Sequence, residues 1–127
     1  MKKIIQTDLA PAPIGPYNQA VLTGNTLYIS GQIPMDPETQ ELISGDIKAE
    51  TERVMQNLKA ILLAADMSFD HVVKSTIFVK DMGQFSSINE AYGHYFNTAT
   101  APARETVEVS NLPKYVNVEI SMIATLQ

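Results

Sequence analysis

The chain has 127 residues, no cysteine and a formal charge of −5, so one domain spanning residues 1–127 with a substantial core is expected, and disulfides, thiolate metal sites and cysteine nucleophiles are excluded. The 45% hydrophobic and 18% charged fractions are those of an ordinary globular protein and exclude wholesale disorder. The acidic balance weighs against nucleic acid or an anionic membrane as the main partner, because phosphate binding depends on clustered Lys and Arg.

The first residues carry Lys2 and Lys3 but meet Gln6 and Asp8 before any apolar stretch of signal-peptide length. No other run approaches a membrane span, and a soluble cytoplasmic chain is expected. Residues 2 to 7 read as a short edge strand. Ala10 to Tyr17 holds three prolines and Gly15, which forbids regular structure and predicts a stiff loop that delivers Tyr17. Gln19 to Thr23 and Thr26 to Ser30 flank Gly24-Asn25, a two-residue hairpin signal of the primed-turn kind.

Pro34 to Gly45 is polar and turn-rich. After it, Ile47, Thr51, Val54, Leu58, Ile61, Leu62 and Ala65 recur at spacings of three and four, which predicts an amphipathic helix with Asp46 as N-cap and an end near Asp66. His71 to Lys80 is rich in Val, Ile, Phe and Thr and reads as a strand. A second helix is expected behind Asp81 as cap, with Phe85, Ile88, Asn89, Tyr92 and Phe96 on one stripe. Two alternating runs close the chain. In the first, Val107 and Val109 share a face with Glu105 while Arg104, Thr106 and Glu108 share the other; in the second, Val116, Val118, Ile120 and Met122 oppose Asn117, Glu119 and Ser121.

This order favours an α+β layer in which two helices cover one face of a mixed, mostly antiparallel sheet. Several strands are apolar on both sides: Val72, Thr76 and Phe78 oppose Val73, Ile77 and Val79, and Leu27 and Ile29 oppose Tyr28. An apolar sheet face without its own cover predicts a homo-oligomer.

Few residues combine into chemistry. His71 and His94 have no metal-ligand partners at convincing spacing, and Glu90 with His94, one helical turn apart, reads as a surface contact. No phosphate-cradling glycine motif is present. Ser30 precedes Gly31 without a nucleophile elbow and suits hydrogen bonding. Tyr17 fits a flat ligand or a gap in the core. Asn89 is the odd polar residue on its stripe and either caps a loop or faces a ligand, because an unpaired buried amide is costly. Arg104 with Glu119 fits an anion site with a positioned carboxylate, since a guanidinium grips carboxylates bidentately; a cross-strand ion pair is equally open.

The segments Gly15-Pro16-Tyr17-Asn18-Gln19-Ala20, Ile29-Ser30-Gly31-Gln32-Ile33-Pro34, Asn57 to Leu62, Phe78 to Met82, Pro102-Ala103-Arg104 and Val118-Glu119-Ile120 resemble, in order and separation, the Rid (reactive intermediate deaminase) family and its RidA branch. The resemblance implies a chorismate-mutase-like fold, a homotrimer with active sites between subunits, and hydrolysis of small 2-imino acids such as 2-iminobutanoate and 2-iminopropanoate to 2-keto acids and ammonia, without a cofactor. By the same resemblance Arg104 holds the substrate carboxylate, Glu119 orients or activates water, and Tyr17, Ser30, Gly31, Asn89 and Thr106 complete the pocket. Three positions depart from the branch: Glu105 follows the arginine where small or hydroxylated residues are common, Thr106 stands where Cys is frequent, and Ser121 replaces a second Glu. Alternation points Glu105 away from Arg104. Two other functions fit such a chain, an endoribonuclease and translation inhibitor, or a non-catalytic small-carboxylate or chaperone-like binder; Arg104 together with Glu119 favours catalysis.

Overall fold

A computed structural model describes residues 1–126. Six strands form one sheet in the order β1-β2-β3-β6-β4-β5: β1 (Lys2–Ile5), β2 (Ala20–Thr23), β3 (Thr26–Gln32), β4 (Val72–Val79), β5 (Ala103–Glu108) and β6 (Val118–Thr125). Every pairing is antiparallel except β4 with β5. The hairpin turns at Gly24, whose φ of 58° is the positive value a primed turn needs at its first central residue. Helices α1 (Ile47–Ala64) and α2 (Phe85–Gly93) supply the crossovers from β3 to β4 and from β4 to β5.

Helix α1 starts where the sequence places it, with the Asp46 carboxylate accepting the Lys48 N–H at 3.1 Å. It ends one residue short of Ala65, and Asp66 turns the chain away with φ 58°. Its inner stripe of Val54, Met55, Leu58, Ile61 and Leu62 is buried against Leu27, Ile29, Ile77, Val79, Val118, Ile120 and Met122 of the sheet. Burial alternates along β6 without a break, so one sheet face is the core and the other is left open.

Several expectations shift by local geometry. Asp81 caps a 3-10 turn at Met82–Gln84, accepting the Gly83 N–H at 2.8 Å, and α2 begins behind it on Gln84 with no side-chain cap. Helix α2 stops at Gly93, so Phe96 follows it instead of extending its stripe. Val116 and Asn117 precede β6, after a 3-10 turn at Pro113–Tyr115. The two closing strands do not pair: β4 lies between them. A register shift between Val72 and Lys74 moves Val72 to the core face with Ser75, Ile77 and Val79, while Val73 is exposed. Strict alternation places those two valines on the wrong faces, because a bulge adds a residue to one strand.

The open face carries Ile4, Tyr28, Ile123, Thr76, Phe78 and Val107, which adjoin across the ladders. Tyr28 remains half exposed. Glu105 lies on this face and pairs with Lys74 at 3.5 Å, pointing away from Arg104 as alternation requires.

Candidate functional site

The seven residues singled out in the sequence form two separate groups. The first surrounds Glu119. In register Glu119 stands opposite Phe78, on the open face, and its carboxylate lies over Gly31: a Cβ built there would come within 1.9 Å of Oε2. Only a glycine admits the carboxylate so close to the backbone. The bulge between Ile29 and Gln32, where β3 slips against β6, makes this approach possible. Ile14, Tyr17, Ser30, Gly31, Ile33, Pro113 and Glu119 line an open cleft of about 460 Å³. Burial pushes the Glu119 carboxyl above its ordinary value of 4.5, since desolvation disfavours the charged form.

The Ser30 hydroxyl, on the cleft wall, donates to the Asn18 carbonyl at 2.6 Å. The Tyr17 hydroxyl accepts the Ile14 N–H at 3.4 Å, folding the ring back onto its loop.

The second group surrounds Arg104. Strand β5 pairs Arg104 with Ser75 and Thr106 with Ile77, so both side chains point to the helix side. The Arg104 guanidinium donates to Asn89 Oδ1 at 2.7 Å and stands 5.2 Å from the Tyr92 ring centre and 5.6 Å from that of Phe85, distances at which a ring face attracts a cation. The Tyr92 hydroxyl is anchored on Ser75 Oγ at 2.9 Å, and burial raises the Tyr92 pKa. Arg104 is therefore exposed but held, at the open edge of the sheet. Asn89 is exposed on α2, satisfied by Arg104 and not by the core. The Thr106 hydroxyl is enclosed and has no hydrogen-bond partner, so any contact at this position falls to its main chain.

Arg104 and Glu119 thus lie on opposite faces of one sheet, separated by β4 and its side chains. Their meeting within one chain, as an ion pair or as a site, is excluded by register.

Three amides around the cleft carry no sequence assignment, two of them, Gln19 and Asn57, buried. Gln19 accepts the Thr7 N–H at 2.7 Å and donates to the carbonyls of Thr7, Ala10 and Pro11, stapling the Pro-rich loop. Asn57 donates to the carbonyls of Ile33 and Met35 at 3.2 and 3.0 Å and accepts from Arg53. Asn117 donates to buried Glu50 at 3.0 Å two residues before Glu119. Asn57 was detectable by the signal that marked Asn89, a polar residue inside an apolar helical stripe; Gln19 had no such marker.

A sheet covered by two helices on one face, with an anion-ready arginine at its edge and a half-buried carboxylate on its bare face, defines a class of small α+β proteins. The chain belongs to the Rid family, with the chorismate-mutase-like fold: the family model described as Endoribonuclease L-PSP matches residues 7–126. It is 53% identical to a RutC family protein of Pyrococcus horikoshii, over 98% of each chain. It is 44% identical to a protein of Dermatophagoides farinae named 2-iminobutanoate/2-iminopropanoate deaminase, over 99% of this chain and 98% of that one. The crystal structure of RidA from an Antarctic Psychrobacter superposes with a TM-score of 0.93 at 46% identity, covering 98% and 99% of the two chains.

Proposed function

We propose that this protein hydrolyses reactive 2-imino acids to 2-keto acids and ammonia, in clefts between the subunits of a homotrimer. Arg104 of one subunit anchors the substrate carboxylate. Glu119 of a neighbour takes a proton from the water that attacks the carbon of the protonated imine, returns it to the amine nitrogen of the tetrahedral adduct, and takes the adduct's hydroxyl proton as the C–N bond breaks, so that ammonia leaves and the carbonyl of the 2-keto acid forms. Ser30 accepts a hydrogen bond from the substrate, Asn89 fixes the arginine, and Gly31 leaves room for the carboxylate. Binding alone needs the arginine; the carboxylate adds water activation, a contribution of the general-base kind.

The observation that carries this reading is the split of the two charged groups onto opposite faces of the sheet, beside an apolar face with no cover from its own chain. Packing that face against a copy related by rotation brings one subunit's sheet edge toward the next subunit's bare face, joining two half-sites. The similarity to a protein named for this deamination supports the chemistry. The −5 charge gives RNA cleavage no comparable support.

The test uses 2-iminobutanoate generated in place by a threonine dehydratase, with Arg104→Ala and Glu119→Gln prepared separately and co-expressed. Each variant alone is expected to lose activity. Random assortment of the two places an intact arginine beside an intact carboxylate at about one quarter of subunit junctions, and activity returns to about that fraction of wild type. No acceleration by correctly assembled wild type, across several amino-acid precursors, overturns the reading in favour of a small-carboxylate binder. Activity without recovery in the mixture overturns the shared site.

A further inference from the structure

Anchoring the carboxylate on Arg104 and the imine carbon beside Glu119 leaves one part of a 2-imino acid unassigned, the substituent on its third carbon. Besides Glu119, Ser30 and Gly31, the cleft is walled by Ile14, Ile33, Pro113 and Tyr17. Ile14, Tyr17 and Ile33 also line a smaller recess behind it that ends on buried Met35. A single exposed isoleucine is ordinary. Ile14, however, is 58% exposed on a segment that cannot easily fold it away: prolines 11, 13 and 16 stiffen the loop, Gln19 staples its start, and the Ile14 N–H is tied to the Tyr17 hydroxyl. Ile33 is fixed by Asn57 on its carbonyl. Two isoleucines, one on a stiffened loop tied to the Tyr17 hydroxyl and one fixed by buried Asn57, present an apolar slot that loses little freedom on binding. The cleft's 460 Å³ lies in the range of small-molecule sites, about 300–1,000 Å³, and extends well beyond the reacting carbon.

We propose that Ile14, with Ile33 and the Tyr17 ring, forms the slot for the substrate side chain, and that Ile14 sets a preference for longer aliphatic 2-imino acids over 2-iminopropanoate. This rests on the imine-hydrolase reading above. Each methylene taken from water into the slot strengthens binding of the reacting complex by about fourfold.

The test compares kcat/KM for 2-iminopropanoate, 2-iminobutanoate and 2-iminopentanoate, each generated in place by an L-amino-acid oxidase, in wild type, Ile14→Val and Ile14→Ala. Wild type is expected to gain about fourfold per methylene. Ile14→Ala lowers the 2-iminopentanoate to 2-iminopropanoate ratio by about tenfold, with Ile14→Val between the two. A ratio unchanged by Ile14→Ala, or a flat wild-type series, overturns the slot while leaving hydrolysis standing. Failure of wild type to accelerate any of the three overturns hydrolysis and the slot together.

Discussion

Replacing Gly31 with alanine tests whether Glu119 acts from the position in which it is held. The new Cβ would lie 1.9 Å from Oε2, 2.7 Å from Cδ and 3.0 Å from Cγ of Glu119, where ordinary contact begins at 3.4 Å. The carboxylate must therefore retreat by about 1.5 Å, and a misplacement of about 1 Å at a reacting centre can cost 10²-fold. The backbone itself accepts alanine, because φ at Gly31 lies outside the left-handed region. The side chain that has to move is the free end of a glutamate, so unfolding free energy is expected to change by less than about 1 kcal/mol. Urea unfolding and 2-iminobutanoate turnover, measured together, should show a stable protein with kcat reduced by about 10²-fold or more. Adding Gly31→Ala to Glu119→Gln should cost little further, since both remove the same positioned group. Near-wild-type turnover in Gly31→Ala, or losses that multiply in the double variant, refutes the argument.

Three further outcomes follow from the site. Burial raises the Glu119 pKa above 4.5, so the carboxylate is lost as pH falls through that raised value. The acid limb of kcat/KM should sit above the ordinary glutamate range and vanish in Glu119→Gln; a limb at the ordinary value contradicts it. The same shift makes the native state hold a proton that the unfolded chain releases, so Glu119 lowers stability as pH rises through this window. Thr106→Val removes an enclosed hydroxyl without a partner and should raise unfolding free energy by about 1 kcal/mol with turnover retained; a loss of turnover at preserved stability assigns the hydroxyl a role in binding.

Local pattern determined the elements. The three-and-four spacing of Val54, Leu58, Ile61 and Leu62 fixed α1 and its buried face, Asp46 its start, and Gly24-Asn25 the hairpin, because caps, turns and periodicity are set by neighbours in sequence. The apolar residues on both sides of the strands foretold the bare face that Tyr28, Phe78 and Val107 now form. Motif resemblance picked out Arg104 and Glu119.

What sequence could not decide was which side of which strand each residue occupies relative to the rest. The insertion of β4 between β5 and β6, and the bulges at Val72/Lys74 and Ile29/Gln32, depend on pairings between segments far apart in the chain. A bulge reverses the facing of every residue beyond it, and no local preference records it. Those pairings put Arg104 on the helix side and Glu119 on the bare side, and gave Gln19 and Asn57 their carbonyl partners. Residue identity supplied the two charged groups; strand order and register decided that they stand on opposite faces of the sheet.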